Sequence, residues 1–221
     1  MLKKFVYNYK NEAGLAFGLR KKRGAIFKEF LERKFKDKKG LRIVDFGGTE
    51  TFWKSVGYDY LREREIKITV VNLKDIDVEN TDIFSSMAAD ATRFAADEKY
   101  DICFSNSCIE HVGMVSDMAR FGEAVRNSAD AYFVQTPSYF FPVEPHFFFV
   151  GFQWLPITIR AWLLRTFSFG HHTKHPDYLG SFVVAQSSYL LNRKLFAAIF
   201  HDAEVQNEKI LGLTKSFIAV K

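Results

Sequence analysis

From Leu41 onward, short apolar segments alternate with segments of helical periodicity. The apolar segments predict strands at residues 42–46, 67–73, 82–88, 100–106 and 131–135, and the helical patterns predict helices at 51–64 and 115–127. Strands interleaved with helices favour a parallel sheet covered by helices on both faces, because a parallel connection needs a long crossover. The sequence therefore predicts an α/β chain with a doubly wound, Rossmann-like sheet.

The end of the chain follows a different pattern. Residues 190–200 have helical spacing, and two strand patterns follow at 203–210 and 214–220. Only residues 211–213 join these strands, which is too short for a parallel crossover. We therefore expect seven strands, mostly parallel, with an antiparallel last strand.

The first 40 residues carry an excess of positive charge, with 13 Lys/Arg against 4 Asp/Glu. Apolar residues recur there at helical spacing, namely Ile26, Phe27, Phe30, Leu31 and Phe35. We interpret residues 1–40 as a basic amphipathic attachment to a domain at 41–221. Two interpretations stay open: a helix docked on the core with a solvated basic face, or a surface for an anionic partner such as a membrane. No pattern of interleaved aromatic residues indicates nucleic-acid binding.

The compartment is predicted from the cysteines and the apolar segments. Cys103 and Cys108 form neither a CxxC pair nor a metal pattern, which suits reduced structural thiols. No segment reaches the roughly 18 uncharged apolar residues that a membrane span needs, and the start of the sequence has no secretory pattern. We expect a cytoplasmic protein, with association at the inner face of the membrane as an option.

The stretch IVDFGGTETFW at 43–53 places an acid and two glycines directly after a strand. With ADATRF at 89–94 and YDICFSNSCIEHV at 100–112, this motif resembles, in order, those of the class I S-adenosylmethionine-dependent methyltransferases. GGT followed by FW, then QTP and FPVEPHF, resembles a bacterial branch of the methyltransferase 11-like proteins. The resemblance covers about residues 41–221 and implies S-adenosylmethionine as cofactor.

Two glycines and an acid would receive the amino-acid head of this cofactor. Gly47 and Gly48 allow close approach of the main chain, and Asp45 orients the loop or meets the head through water. Thr49 replaces a glycine of the relatives, and its hydroxyl can cap the following helix.

Polar residues after the next strands complete the cofactor set that the resemblance implies. Asn72 stands where relatives have an acid for the ribose hydroxyls, with Asp75 in reserve. Asp90 and the amide of Ala91 would receive adenine, and Asn106 would contact the cofactor. These departures keep a non-catalytic binding or scaffold protein with the same fold as the alternative; the G-x-G-x-x-G of an NAD site is absent.

Candidates for the methyl-acceptor side follow strands four and five. Residues 138–185 form an insertion whose first half is rich in aromatic residues, and it contains Glu144 and His146. Residues two positions apart in an extended segment lie on the same side, so Glu144 would lie beside His146. The acid would raise the basicity of the imidazole, and His146 would act as the general base. His111 is the rival base, or else a helix-start residue held by a backbone bond.

Three interpretations of the insertion stay open: a structural cap, a wall or lid of the substrate pocket, or a patch at the membrane interface. The run HHTKHPD at 171–177 lacks the spacing of a zinc site, so no metal is expected. The predicted function is O-methylation of a small molecule, a sugar or a lipid-linked acceptor.

Overall fold

The computed structural model describes residues 15–169 and 173–221 of the 221-residue chain. It divides into two compact units. The first comprises the described residues through Asn106, with Arg120–Val134 and Lys221; the second comprises Ser107–Ala119 and the described part of Gln135–Val220. The expected attachment at 1–40 lies partly outside the described residues, as do His171 and His172.

The described residues contain nine strands, seven of which lie at the predicted positions. The strands are β1 (Arg42–Phe46), β2 (Lys67–Asn72), β3 (Phe84–Ala88), β4 (Tyr100–Asn106), β5 (Ala129–Pro137), β6 (Val143–Glu144), β7 (Phe149–Val150), β8 (Glu204–Ile210) and β9 (Leu213–Val220). The α-helices are α1 (Leu15–Phe35), α2 (Glu50–Val56), α3 (Tyr58–Glu63), α4 (Val115–Ser128), α5 (Ile157–Thr166), α6 (Tyr178–Ala185) and α7 (Arg193–Ile199). Short 3-10 helices span Ile109–His111 and Phe152–Trp154.

Seven of these strands form one sheet in the order β3-β2-β1-β4-β5-β9-β8. Strand β1 pairs in parallel with β2 and β4, and β2 pairs in parallel with β3. Strands β8 and β9 are antiparallel, as the short join between the two predicted strands indicated. The predicted fold class is confirmed.

The single helix predicted at 51–64 is wrong. The structure has α2 and α3 instead, separated at Gly57, whose φ of 99° no helix contains. Tyr58 begins α3 directly after this residue. The helical periodicity continues through the break, which is why the sequence pattern did not reveal it.

Helix α1 packs its apolar face within the first unit. Phe27, Phe30 and Leu31 are buried, and the ring of Phe27 makes edge contacts with those of Trp53 and Phe104 at 5.4 and 5.1 Å between centroids. Several cationic residues of the opposite face are exposed, namely Lys21, Lys22, Arg33, Lys34 and Lys36. The helix therefore has the docked arrangement, and these five basic residues remain open to a partner.

The insertion contains its own apolar cluster within the second unit. Phe147, Phe152, Ala161, Leu164 and Ala185 are buried together. Other large apolar side chains of this region are exposed, among them Trp162, Leu179 and Val183. The buried rings thus form a packed cluster of their own within the insertion, and the exposed apolar side chains lie outside it.

No helix in the described part of the chain is long and apolar enough to cross a membrane.

Candidate functional site

The segments that follow β1, β2 and β3, and the end of β4, lie at one edge of the sheet in the first unit. Phe46 pairs with Val71 and Ser105, and Asn72 pairs with Ala88, so the parallel strands end at neighbouring positions. The carboxyl edge of such a sheet is where nucleotide-like ligands bind. The predicted cofactor residues Asp45, Gly47, Gly48, Thr49, Asn72, Asp90, Ala91 and Asn106 all belong to this unit.

The glycine turn after β1 is built around a buried acid. Asp45 is fully buried, and its Oδ2 accepts a hydrogen bond from the indole Nε1–H of Trp53 at 2.8 Å. Its Oδ1 has no hydrogen-bond partner among the described residues. Burial raises the pKa of Asp45 to about 7, and the bond from Trp53 opposes that rise.

The two glycines are required for different reasons. Gly47 has a φ of 73°, and its N–H donates to the carbonyl of Val71 at 2.8 Å. A Cβ on Gly48 would lie 1.8 Å from Asp45 Oδ2, so no side chain fits there. Thr49 is the N-cap of α2 and accepts from the N–H of Thr51, as expected. At these two positions the turn therefore presents only main-chain atoms.

The polar residues after β2 and β3 are held by local bonds. Asn72 donates its side-chain amide to the carbonyl of Gly48 at 2.9 Å, which directs its oxygen elsewhere. Asp90 Oδ1 accepts from the N–H and the hydroxyl of Thr92 at 2.9 and 2.8 Å. These bonds hold the pKa of Asp90 below its usual value, so its carboxylate is ionised, and Ala91 beside it is partly buried.

Asn106, at the end of β4, has a partner that the sequence did not indicate. Its Oδ1 accepts from Arg23 Nη1 at 2.6 Å. Arg23 belongs to α1 and is buried. Its position within a run of basic residues gave no sign that this particular arginine points inward, so sequence analysis missed it.

A second group of polar side chains lies in the second unit. Glu144 Oε1 accepts from His146 Nδ1 at 2.7 Å, and its Oε2 accepts from the backbone N–H groups of His146 and Phe147. The predicted pairing of Glu144 with His146 is therefore present. The expected extended segment is wrong, because Glu144 ends β6 and His146 lies in the turn to β7.

His111 lies next to His146, with ring centroids 4.7 Å apart and an edge-to-face angle of 82°. Its Nδ1 is 2.8 Å from the carbonyl oxygen of Ser187. A carbonyl only accepts, so this nitrogen carries the proton and Nε2 keeps its lone pair. His111 is held by a backbone bond and also shares a site with the other predicted base.

Glu110 lies in the same cluster as the two histidines, and it is almost fully buried. Its Oε2 accepts from the hydroxyl of Thr136 at 3.0 Å, while its Oε1 has no hydrogen-bond partner among the described residues. Burial raises the pKa of Glu110, and the charges of His111 and His146 oppose that rise. Burial also opposes the charged form of His146, yet Glu144 and Glu110 hold its pKa above the usual value.

The structure thus brings together Glu110, His111, Glu144 and His146. The sequence showed that Glu110 and His111 follow β4. It did not indicate that Thr136 would bond to Glu110 or that the carbonyl of Ser187 would bond to His111. Each histidine presents a lone pair at Nε2, so the group can accept a proton or ligate an ion.

The comparisons with known proteins show that the fold of this chain is similar to that of several solved structures. No family model and no curated protein matches the chain. A Bordetella parapertussis protein described as a possible exported protein matches with a TM-score of 0.53 and 12% identity, over 90% of this chain and 67% of that one. Magnesium protoporphyrin IX methyltransferase of Synechocystis, solved with bound S-adenosylmethionine, matches with a TM-score of 0.52 and 10% identity, over 93% and 80%.

A third similar structure is the 1,6-didemethyltoxoflavin-N1-methyltransferase of Burkholderia thailandensis, solved with 1,6-didemethyltoxoflavin and S-adenosylhomocysteine. Its TM-score is 0.51 at 10% identity, over 91% of this chain and 76% of that one. The chain has the Rossmann-like fold of the S-adenosylmethionine-dependent methyltransferases. At these identities the likeness concerns the fold alone.

Proposed function

We propose that this protein is an S-adenosylmethionine-dependent methyltransferase of the bacterial methyltransferase 11-like branch, and that it methylates an oxygen of a small molecule, a sugar or a lipid-linked acceptor. The observation that carries the proposal is the glycine turn of Gly47 and Gly48 over the buried Asp45, at the carboxyl edge of a methyltransferase-type sheet. The fold is shared with a methyltransferase solved with this cofactor.

The residues at this edge fit the cofactor group by group. The bare main chain at Gly47 and Gly48 suits the amino-acid head, which needs close approach. The oxygen of Asn72 can accept from one ribose hydroxyl, because its amide is already directed at Gly48. The ionised Asp90 can accept from the adenine amine, with the N–H of Ala91 as donor.

The bound cofactor would supply an electrophilic methyl group on a sulfonium, and an oxygen acceptor must lose a proton for methyl transfer to occur. We propose that this proton is removed with the help of the group formed by Glu110, His111, Glu144 and His146. Glu144 fixes the tautomer of His146, so that its Nε2 can accept a proton. The N–H groups of His146 and Phe147 keep Glu144 in place.

Calorimetric titration with S-adenosylmethionine and S-adenosylhomocysteine tests the cofactor assignment. We expect micromolar binding to the wild-type chain and a loss of roughly tenfold or more in Asn72→Ala and Asp90→Asn, since each removes a direct contact. Asp130→Asn is the matched control, because it removes an exposed carboxylate paired with Lys99. No heat of binding to folded protein would instead support the alternative, a scaffold protein that keeps the fold.

A further inference from the structure

We propose that Glu110, His111 and His146 bind one divalent transition-metal ion of the kind that imidazole and carboxylate ligands favour, such as Zn²⁺ or Fe²⁺. One ligand atom from each residue lies within 4.8 Å of the other two. Two atoms that ligate the same ion at about 2.1 Å are at most about 4.2 Å apart, so binding requires side-chain shifts of roughly an ångström.

Both histidines are prepared for ligation by the bonds of their other nitrogen. Nδ1 of His111 faces the carbonyl of Ser187, and Nδ1 of His146 faces the carboxylate of Glu144. Each bond places the proton on Nδ1 and leaves Nε2 as a neutral donor of electrons. Histidines that ligate metals almost always have such a partner, which fixes the ring and raises its basicity.

Glu110 presents an unpartnered oxygen in the same cluster. Its Oε2 is occupied by the hydroxyl of Thr136, whereas its Oε1 has no hydrogen-bond partner among the described residues. A buried carboxylate oxygen without a partner is costly, and a cation would compensate for that cost. The main chain at this position is also held, because the backbone carbonyl of Glu110 accepts from the N–H of Tyr189 at 2.7 Å.

Glu144 supports the cluster without ligating the ion. Both of its oxygens already accept hydrogen bonds, one from the ring of His146 and the other from two backbone N–H groups. The arrangement has the two layers of a metal site: three side chains with free donor atoms, and a carboxylate, a hydroxyl and a carbonyl that orient them.

The set of donors selects the kind of ion. Two imidazoles and one carboxylate suit Zn²⁺ or Fe²⁺, whereas Mg²⁺ and Ca²⁺ prefer oxygen ligands alone. Three protein ligands would leave coordination positions for water or a substrate, as in catalytic sites. This site departs from the expectation that no metal is held, and it is separate in sequence from the HHTKHPD run at 171–177.

The ion would give the cluster a defined role in the proposed methyl transfer. A divalent cation lowers the pKa of a hydroxyl bound to it, which favours loss of the acceptor proton. In that case His146 acts as a ligand and not as the general base. This consequence rests on the proposed function, whereas binding of the ion does not.

Metal titration of the full chain tests the proposal. Chelator-treated, dialysed protein is titrated with Zn²⁺ in competition with a chromophoric chelator, and with Co²⁺ followed by visible absorbance. We expect one equivalent at micromolar affinity or tighter, with Mg²⁺ unable to compete. His111→Ala, His146→Ala and Glu110→Gln should each lower the affinity by about 100-fold or more, and Glu144→Gln by about 10- to 100-fold, the usual loss for an orienting partner.

The controls separate this cluster from the other histidines. His201→Ala removes an exposed histidine of the same unit and should leave binding unchanged. His175→Ala and the double variant His171→Ala/His172→Ala should do the same. Circular dichroism without metal checks each fold, and the exposed position of His111 makes His111→Ala the variant best tolerated.

Absence of stoichiometric binding to the wild-type chain would overturn the proposal, as would binding that survives the cluster variants but is lost in the HHTKHPD variants. Because the cofactor titration is independent of the metal titration, failure of one proposal is distinguishable from failure of the other.

Discussion

Trp53 donates its indole N–H to Asp45, the buried acid of the glycine turn, at 2.8 Å. The bond joins the end of β1 to α2 and satisfies one oxygen of a carboxyl group that has no access to solvent. Trp53, the tryptophan of the GGTETFW stretch, therefore holds from α2 the acid that lies under the glycine turn.

The burial of Asp45 makes stability depend on pH. Its pKa is about 7 in the folded chain and about 4 when unfolded, so the folded state binds the extra proton between these values. The contribution of Asp45 to the free energy of unfolding should therefore be largest below about pH 4, and it should be lost as the pH rises to about 7. Relative to wild type, Asp45→Asn should gain stability over this range, by about 4 kcal/mol at most, at about 1.4 kcal/mol per pKa unit.

Urea unfolding of both proteins at a series of pH values measures the difference. Asp130→Asn is a control for which the pH dependence has the opposite sign. In the wild type the bond from Lys99 lowers the pKa of the exposed Asp130, so the ionised acid stabilises the fold above about pH 4, and this stabilisation is lost on acidification. A difference between wild type and Asp45→Asn that stays constant from pH 4 to 7 would contradict the raised pKa.

Gly48→Ala should destabilise the chain and weaken cofactor binding together. The added Cβ would lie 1.8 Å from Asp45 Oδ2, so either the acid or the turn must move. We expect a loss of roughly 1–3 kcal/mol, the usual cost of overpacking, measured by urea unfolding. Gly18→Ala is the matched control. Its added Cβ in α1 meets no atom of the described residues within 4 Å outside the local helix backbone, and the change should stabilise the chain by up to about 1 kcal/mol.

His146→Ala should lower methyl transfer by roughly 10²-fold or more while leaving the affinity for S-adenosylmethionine within a few-fold. The measurement uses isotopically labelled cofactor and a pool of hydroxyl-bearing acceptors. If the two histidines ligate one ion, His111→Ala should cause a similar loss. A large loss in His146→Ala with near wild-type turnover in His111→Ala would indicate that His146 acts alone as the base.

Binding of the chain to anionic vesicles, if present, should depend on salt and on the basic face of α1. Phe27, Phe30 and Leu31 are buried, so these three residues are not available for apolar insertion, whereas the exposed basic residues of α1 can contribute charge. Reversing Lys21, Lys22, Arg33 and Lys36 to Glu should abolish co-sedimentation with phosphatidylserine vesicles at low salt, and about 1 M salt should have the same effect on the wild type. Lys194→Glu/Lys209→Glu, at exposed positions outside α1, is the control. No co-sedimentation of the wild type at low salt would end the membrane hypothesis.

The sequence by itself determined the sheet and the position of its ligand-binding edge. The apolar segments of β1, β2 and β4 and the short join between β8 and β9 are local signals, because alternation and loop length constrain the backbone over a few residues. The glycine turn after β1 is local in the same sense: Gly47 needs a positive φ, and Gly48 lies three residues from the acid that excludes a side chain.

The tertiary structure decided which polar groups meet. Arg23 reaches Asn106 across 83 positions of sequence, and Thr136 reaches Glu110 across 26, and no periodicity encodes either contact. His111 and His146 were predicted separately as rival bases, yet they belong to one cluster with Glu110 because folding brings the turn after β6 beside the short helix after β4. Local sequence sets the conformation of each segment, whereas the chemistry of a site depends on distances between segments, which only the packed chain fixes.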